Sequence, residues 1–331
     1  MIETGLCYAQ SLFLPPIFNK GDVILLTALP VLFSVVIVLF LGQLLSRTIL
    51  KEATFWQGIS KLSYWVLFPA LLFKTISQSD FTGMEIEAII STMLVGLFGV
   101  LIIFWLIGRR VKLSNADLSS VLQGAFRHNG FMALAIIAGL YGEAGVEIGT
   151  LCLAILVPPS NVMSVCVLIY LNKRDQKTNM APFLAKEIVR NPLIIAIIAG
   201  LVAKYAPFDT PDFILETAEL LGRGALPALL LAVGAGVQLT SRIKGSFVPL
   251  GLGILAKIII FPALLVGTAI GFGIEGMSLS IIAIFGVMPT AVSAYALARE
   301  LDGNADLMAE IISFQTFLSL PAMLIWLSVL S

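Results

Sequence analysis

Apolar residues fall along the chain in ten long blocks separated by short polar joints. The blocks cover residues 23–45, 57–77, 88–108, 118–140, 148–171, 187–205, 215–238, 246–272, 277–300 and 307–330. Each is close to the roughly 20 mostly apolar residues that carry a helix across a bilayer. The pattern predicts an all-α polytopic membrane protein with ten spans. The longest polar joint, residues 172–186, has no room for a soluble domain. Residues 1–22 read as a short extracellular or interfacial segment. They lack a basic start, Glu3 is acidic, and Pro15-Pro16 interrupts the apolar run, so a signal peptide is disfavoured.

Composition agrees with the pattern. Of 331 residues, 59% are apolar and 12% charged, with a mean hydropathy of +1.01. Soluble domains carry about 25% charged residues. A soluble enzyme and a nucleic-acid binder are excluded, the latter also by a net charge of zero with no polybasic patch. Most Lys and Arg lie in the joints after spans 1, 3, 5, 7 and 9, among them Arg47, Lys51, Arg109, Arg110, Lys112, Lys173, Arg174, Arg242 and Arg299. Lys20, Lys74, Lys204 and Arg223 fall on the other side. That imbalance predicts both termini outside the cytoplasm, in a cell (inner, plasma) membrane. Cys7, Cys152 and Cys166 have no CxxC spacing and read as small apolar side chains, so no metal or cofactor is expected.

The two halves resemble each other. Phe68-Pro69-Ala70-Leu71-Leu72 in span 2 matches Leu226-Pro227-Ala228-Leu229-Leu230 in span 7, although the same tetrapeptide also occurs at Pro262 to Leu265. At nearly the same shift, span 4 falls on span 9 and span 5 on span 10. Five spans per repeat is odd, so the second copy is inverted. The reading is a first five-helix repeat over 23–171, a cytoplasmic linker over 172–186, and a second repeat over 187–331. Inverted repeats are an architecture of secondary transporters, whose interrupted helices mark the substrate site.

Two spans are interrupted near their middle. Span 4 carries Arg127-His128-Asn129-Gly130, a set of side chains too costly to face lipid. Gly130 weakens the helix, and Asn129 suits the cap of a half-helix starting at Phe131. Span 9 is broken at Met288-Pro289, where Thr290 and Ser293 are placed to bond freed backbone groups. If the breaks cross, two helix N-termini meet and form an anion site fit for a carboxylate. The plain alternative is a proline kink beside a buried polar cluster.

Other polar residues sit inside spans. Lys257 in span 8 reads as a countercharge or a group that changes protonation, or as half of a structural pair with Glu310 or a backbone carbonyl. Asn161, after Pro158-Pro159-Ser160 in an irregular stretch of span 5, and Gln315 in span 10 read either as lining the same cavity or as interhelical hydrogen bonders. His128 reads as a proton-coupling group or as a neutral, hydrogen-bonded histidine.

Several segments together resemble the auxin efflux carrier family, the bacterial relatives of the plant PIN proteins. They are Phe126 to Ala135, Pro158 to Val165, Arg190-Asn191-Pro192-Leu193, Lys257 to Leu265, and Met288-Pro289 through Ala298-Arg299-Glu300. The resemblance covers essentially the whole chain. It implies the ten-helix fold of bile acid sodium symporters, with a scaffold domain from spans 1, 2, 6 and 7 and a transport domain from spans 3–5 and 8–10. Spans 4 and 9 cross at the substrate site, and an elevator movement is implied. So are a small organic anion such as malonate, malate or auxin, and a homodimer formed through the scaffold. The family's crossover asparagine falls on Asn129 and its second-half proline on Pro289. Span 4 has no proline, so its break rests on Asn129-Gly130.

The leading expectation is a transporter of a small carboxylate. Asn129, Gly130, Met288, Pro289 and Thr290 form the crossover. His128, Asn161, Ser293 and Gln315 add polar contacts, Arg127, Lys257 and Glu310 supply charge, and Pro69 and Pro227 shape the scaffold wall. The other reading is a membrane sensor that binds the anion without moving it. An intramembrane enzyme lacks a nucleophile–base pair or a metal cluster. Membrane potential alone drives an anion out of a negative interior, with about 2.3 kcal/mol per charge per 100 mV; proton coupling is the competing source of energy.

Overall fold

A computed structural model describes residues 20–80, 85–172, 189–207, 209–236 and 247–330. Most of the N-terminal segment, nearly all of the 172–186 linker, Cys7 and Arg242 lie outside them. Among the described residues every regular element is helical. Seven helical stretches are long and apolar enough to cross a membrane, and the chain is a multi-pass membrane protein. On α1 (Lys20–Thr48), Phe33, Ile37, Phe40 and Leu44 form an exposed stripe at helical spacing, as a lipid-facing surface requires.

The helices that follow are α2 (Ala53–Gln78), α3 (Ile86–Arg110), α4 (Asn115–Phe126) and α5 (Gly130–Asn172). Then come α6 (Pro192–Tyr205), α7 (Asp212–Arg223), α8 (Ala225–Gly236) and α9 (Phe247–Gly271). The chain ends with α10 (Gly276–Val287), α11 (Ser293–Glu300) and α12 (Ala305–Leu330). Span 4 thus becomes α4, a break, and the first part of α5, while span 9 becomes α10, a break, and α11. The polar joint expected between spans 4 and 5 shrinks to a kink at Gly142, with φ 60° and ψ −149°. That backbone region is open essentially to glycine alone. The stretch at Pro158-Pro159, expected to be irregular, stays helical inside α5. There Ser160 Oγ donates to the Val157 carbonyl at 3.0 Å and Ser164 Oγ to the Ser160 carbonyl at 2.7 Å.

The helices pack in two groups. In one, α1 lies on α8, and α2 on α6 and α7; in the other, α9 lies on α3, α4 and α10, and α5 on α10. The α1–α8 contact is close because a Cβ on Gly42 would overlap the Leu231 carbonyl and one on Gly234 the Leu39 carbonyl. Small residues let helix backbones approach this way in lipid. At the far end of the second group, Asn304 caps α12, its amide donates to Asp117 of α4 at 2.7 Å, and Asn172 at the end of α5 donates to Ser119 at 3.2 Å.

Two helices carry a widened turn before a Phe-Pro-Ala-Leu-Leu run. In α2 it spans Ser63–Leu67 and precedes Pro69; in α9 it spans Ala256–Ile260 and precedes Pro262. The proline ring clashes with the carbonyl four residues back and offers it no N–H, so the turn opens. In α9 the carbonyl left by Pro262 belongs to Ile258, and Trp326 Nε1 of α12 donates to it at 3.1 Å.

A Gly142→Ala variant should lose about 1–3 kcal/mol of stability through backbone strain alone, since no atom lies within 4 Å of the added Cβ. Gly267→Ala, equally uncrowded but inside regular α9, should be neutral or stabilising by up to ~1 kcal/mol. Thermal unfolding in detergent checks both; equal effects would refute the account of the kink.

Candidate functional site: the crossing of two broken helices

The two breaks touch. Arg127, His128 and Asn129 separate α4 from α5, and residues 288–292 separate α10 from α11. The Asn129 backbone N–H donates to the Pro289 carbonyl at 2.7 Å. Asn129 Oδ1 accepts from the Met132 N–H at 3.2 Å, so it caps a half-helix that starts at Gly130, one residue earlier than expected. A Cβ on Gly130 would sit 2.6 Å from Leu153 Cδ1, where α5 folds back, so any side chain there has to displace Leu153.

Gln315 holds the second break. Its Oε1 accepts from the Thr290 N–H at 2.9 Å, and its Nε2 donates to the carbonyls of Gly124 and Gly253, each at 2.9 Å. Thr290 Oγ1 donates to the Gly124 carbonyl at 3.1 Å. One fully buried amide on α12 therefore ties α4, α9 and the α10–α11 break together. Of the two readings of Gln315, the structure places it in interhelical hydrogen bonding.

The guanidinium of Arg127 reaches across the break. Its Nη2 donates to Ser293 Oγ at 2.8 Å and to Asn161 Oδ1 at 3.3 Å. Arg127 is 7% exposed, whereas Asn161 is half-buried and Ser293 exposed, so the cluster lies at the edge of the crossing. Tyr64, in the widened turn of α2, lies within electrostatic reach of the guanidinium.

His128 and Lys257 are buried on the inner side. His128 is 5% exposed and packs edge-on to Phe285 at 6.0 Å. The Phe126 backbone carbonyl is the one hydrogen-bonding neighbour of a ring that otherwise meets apolar surroundings. The Lys257 ammonium has no exposure and no hydrogen-bond partner, lies 4.3 Å from the centre of the Phe261 ring, and is within electrostatic reach of His128. The expected pair with Glu310 is not formed, for a reason of register. Gln315 lies opposite Gly253 on the parallel helix α9. At ~1.5 Å per residue, Glu310 is about 7.5 Å short of that level and Lys257 about 6 Å beyond it.

Pro69 and Pro227 lie elsewhere. Pro69 lines an apolar groove of about 590 Å³ with Trp65, Phe73, Ile195 and Phe213, and Pro227 is exposed on α8. From α2 it is Phe68 that meets the crossing, packed edge-on against Phe131 at 4.4 Å. The sequence reading missed Phe68, Tyr64, Phe285 and the two carbonyls of Gly124 and Gly253. Only the repeated Phe-Pro-Ala-Leu-Leu run marked Phe68 and, through its widened turn, Tyr64.

Arg127 and the N-terminus of α5 bring positive charge to the crossing, the Lys257 amine lies behind His128, and none of the residues at the two breaks is a carboxylate. Among the described residues no group of three or more His, Cys, Asp or Glu is arranged to hold a metal.

Residues 26–327 match the family described as membrane transport protein. The chain is 22% identical to an uncharacterized transporter of Methanocaldococcus jannaschii, over 81% of this chain and 87% of that protein. It is 21% identical to a Rhizobium meliloti protein named "Putative malonate transporter", over 79% of this chain and 83% of that one. An uncharacterized transporter of Methanothermobacter thermautotrophicus is 22% identical, over 90% and 96%.

Replacing Gln315 by leucine leaves the Thr290 N–H unpaired in a buried site, which should cost about 1–3 kcal/mol. Gln315→Glu keeps an acceptor for that N–H but loses the donor to both carbonyls and sets a carboxylate against them in a buried site, so it should cost more. Chemical denaturation in detergent ranks the two; equal losses would remove Gln315 as the tie.

Proposed function

The chain belongs to the membrane transport protein family that includes the auxin efflux carriers, and we propose that it carries a small organic anion, a carboxylate, through the crossing of its two broken helices. One observation carries this reading. The Arg127 guanidinium and the α5 N-terminal dipole converge at a largely buried point, and the two breaks themselves carry no carboxylate to offset them. Charge buried without a partner is costly, and an arriving carboxylate supplies the partner. Arg127, held toward Asn161 and Ser293, is the accessible cation that meets the anion first. The short backbone contact of Asn129 with Pro289 fixes the geometry, and Lys257 adds attraction from behind. The name of the Rhizobium meliloti relative makes malonate a fitting first substrate to test.

The architecture follows from the same reading. We take the ten spans as two inverted five-helix repeats, with both termini on the non-cytoplasmic side of the plasma membrane. The two packed groups support a scaffold (α1, α2, α6–α8) and a transport unit (α3–α5, α9–α12) that slides against it as an elevator, with two copies paired through the scaffold. Arg127 would then travel with its substrate, because α4, α5 and α11 belong to one unit.

The test is uptake of labelled malonate and other short carboxylates into proteoliposomes, with membrane potential and pH gradient imposed separately. Arg127→Gln should lower uptake at least tenfold, chiefly through KM. Asn129→Asp, which keeps the cap acceptor but adds a negative charge, should abolish it while the protein stays folded. Wild-type rates in both variants, or no flux of any carboxylate through the parent protein, would overturn the anion reading.

A further inference from the structure

The end of α3 carries more positive charge than its helix needs. Arg109, Arg110 and Lys112 fall close together there, and all three are exposed. Among the described residues none of them has an ion-pair partner. Basic side chains commonly serve a helix C-terminus by meeting its free carbonyls. Here the backbone has already taken those carbonyls. The Val111 N–H donates to Ile107 at 2.9 Å, the Leu113 N–H to Gly108 at 3.0 Å and the Lys112 N–H to Arg109 at 3.3 Å. Lys112 also stands where a helix usually ends on glycine. Its φ is 56°, a left-handed conformation that is costly for any residue with a Cβ. Glycine would relieve that strain, so the local fold gives no reason for a lysine.

Arg109 is held in place by its neighbours. Its guanidinium lies 5.1 Å from the centre of the Trp105 ring, and its Nη1 donates to Asn115 Oδ1 at 3.4 Å. Tyr170, near the end of α5, tilts against the same Trp105 at 5.6 Å. Asn115 Nδ2 donates in turn to the Leu171 carbonyl at 2.9 Å, so α3, α4 and α5 all meet at this point. Asp117, the one carboxylate on α4, is engaged by the Asn304 amide at 2.7 Å. Trp and Tyr gather where a bilayer gives way to water, which is the level of phospholipid headgroups.

From these cations an apolar stripe runs back along α3. Val95, Phe98, Ile102 and Leu106 are each between 45% and 62% exposed, and at helical spacing they lead up to Arg109 and Arg110. At ~1.5 Å per residue the stripe is about 16 Å long. One leaflet of a hydrocarbon core about 30 Å thick has that depth.

We propose that this face of α3 binds an anionic phospholipid, with its phosphate on Arg109, Arg110 and Lys112 and an acyl chain along the stripe. A water-soluble phosphate has no use for the stripe, and a zwitterionic lipid brings its own ammonium to the cations. Each basic side chain beside an anionic membrane surface strengthens binding by about fivefold. The proposal rests on the membrane-spanning fold and is independent of the anion reading of the crossing.

Thermal unfolding of the purified protein in a neutral detergent, titrated with short-chain lipids, tests it. Dioctanoyl phosphatidylglycerol should raise the melting temperature saturably. Dioctanoyl phosphatidylcholine, with the same chains, and glycerol phosphate, with the phosphate alone, should leave it unchanged. Arg110→Gln should raise the phosphatidylglycerol midpoint about fivefold, and Arg109→Gln with Arg110→Gln should raise it further. Lys112→Gly separates a site from general stabilisation. Without lipid it should melt above the parent, yet need about fivefold more lipid for half its shift. No shift with phosphatidylglycerol, an equal shift with phosphatidylcholine, or an equal shift with glycerol phosphate overturns the proposal. Lipid midpoints that stay at the parent value in all these variants overturn it as well.

Discussion

Hydrocarbon offers no hydrogen bonds, so each backbone N–H and C=O at bilayer depth needs a partner within the protein. The structure turns on how this demand is met where two helices break. Each break frees amides and carbonyls, and each supplies the other. The Asn129 N–H finds the Pro289 carbonyl, Thr290 Oγ1 finds the Gly124 carbonyl, and Gln315 bonds the Thr290 N–H. A binding point with broken helices is held here because the breaks stand back to back.

The same demand explains the widened turns. A proline inside a membrane helix removes one donor and displaces one carbonyl. In α9 the carbonyl is recovered by Trp326, and the opened turn carries Lys257 against Phe261, beside His128. In α2 it carries Tyr64 toward Arg127, and the adjoining Phe68 against Phe131. Two copies of one short sequence run thus shape the crossing from two sides through a backbone defect.

Much of this was legible in the sequence. The apolar blocks announced the helices because lipid tolerates little else at their length. Arg127 to Gly130 and Met288-Pro289 announced the breaks because a charge and a proline are costly where they stand. What stayed hidden has physical reasons as well. The partners of Gln315 include two carbonyl oxygens, which every residue owns and no letter marks. The absence of a Lys257–Glu310 pair follows from the register of two parallel helices, which spacing within one helix does not fix. The joint between spans 4 and 5 contracted to Gly142 because one glycine in a left-handed conformation does the work of a loop. Pro69 and Pro227 matched in sequence; the first lines an apolar groove and the second lies exposed on α8, and it is Phe68, beside Pro69, that touches Phe131.

The bond between Asn129 and Pro289 also has a bearing on how the protein is made. Its two ends are separated by 160 residues of chain. At roughly 5–20 residues per second, the first break leaves the ribosome about ten to thirty seconds before its partner exists. Through that interval the unpaired amide of Asn129 and the charge of Arg127 have to be held by something else: water, the insertion machinery, or a helix threaded only part of the way. The first break is therefore completed only when the second half of the chain has arrived beside it.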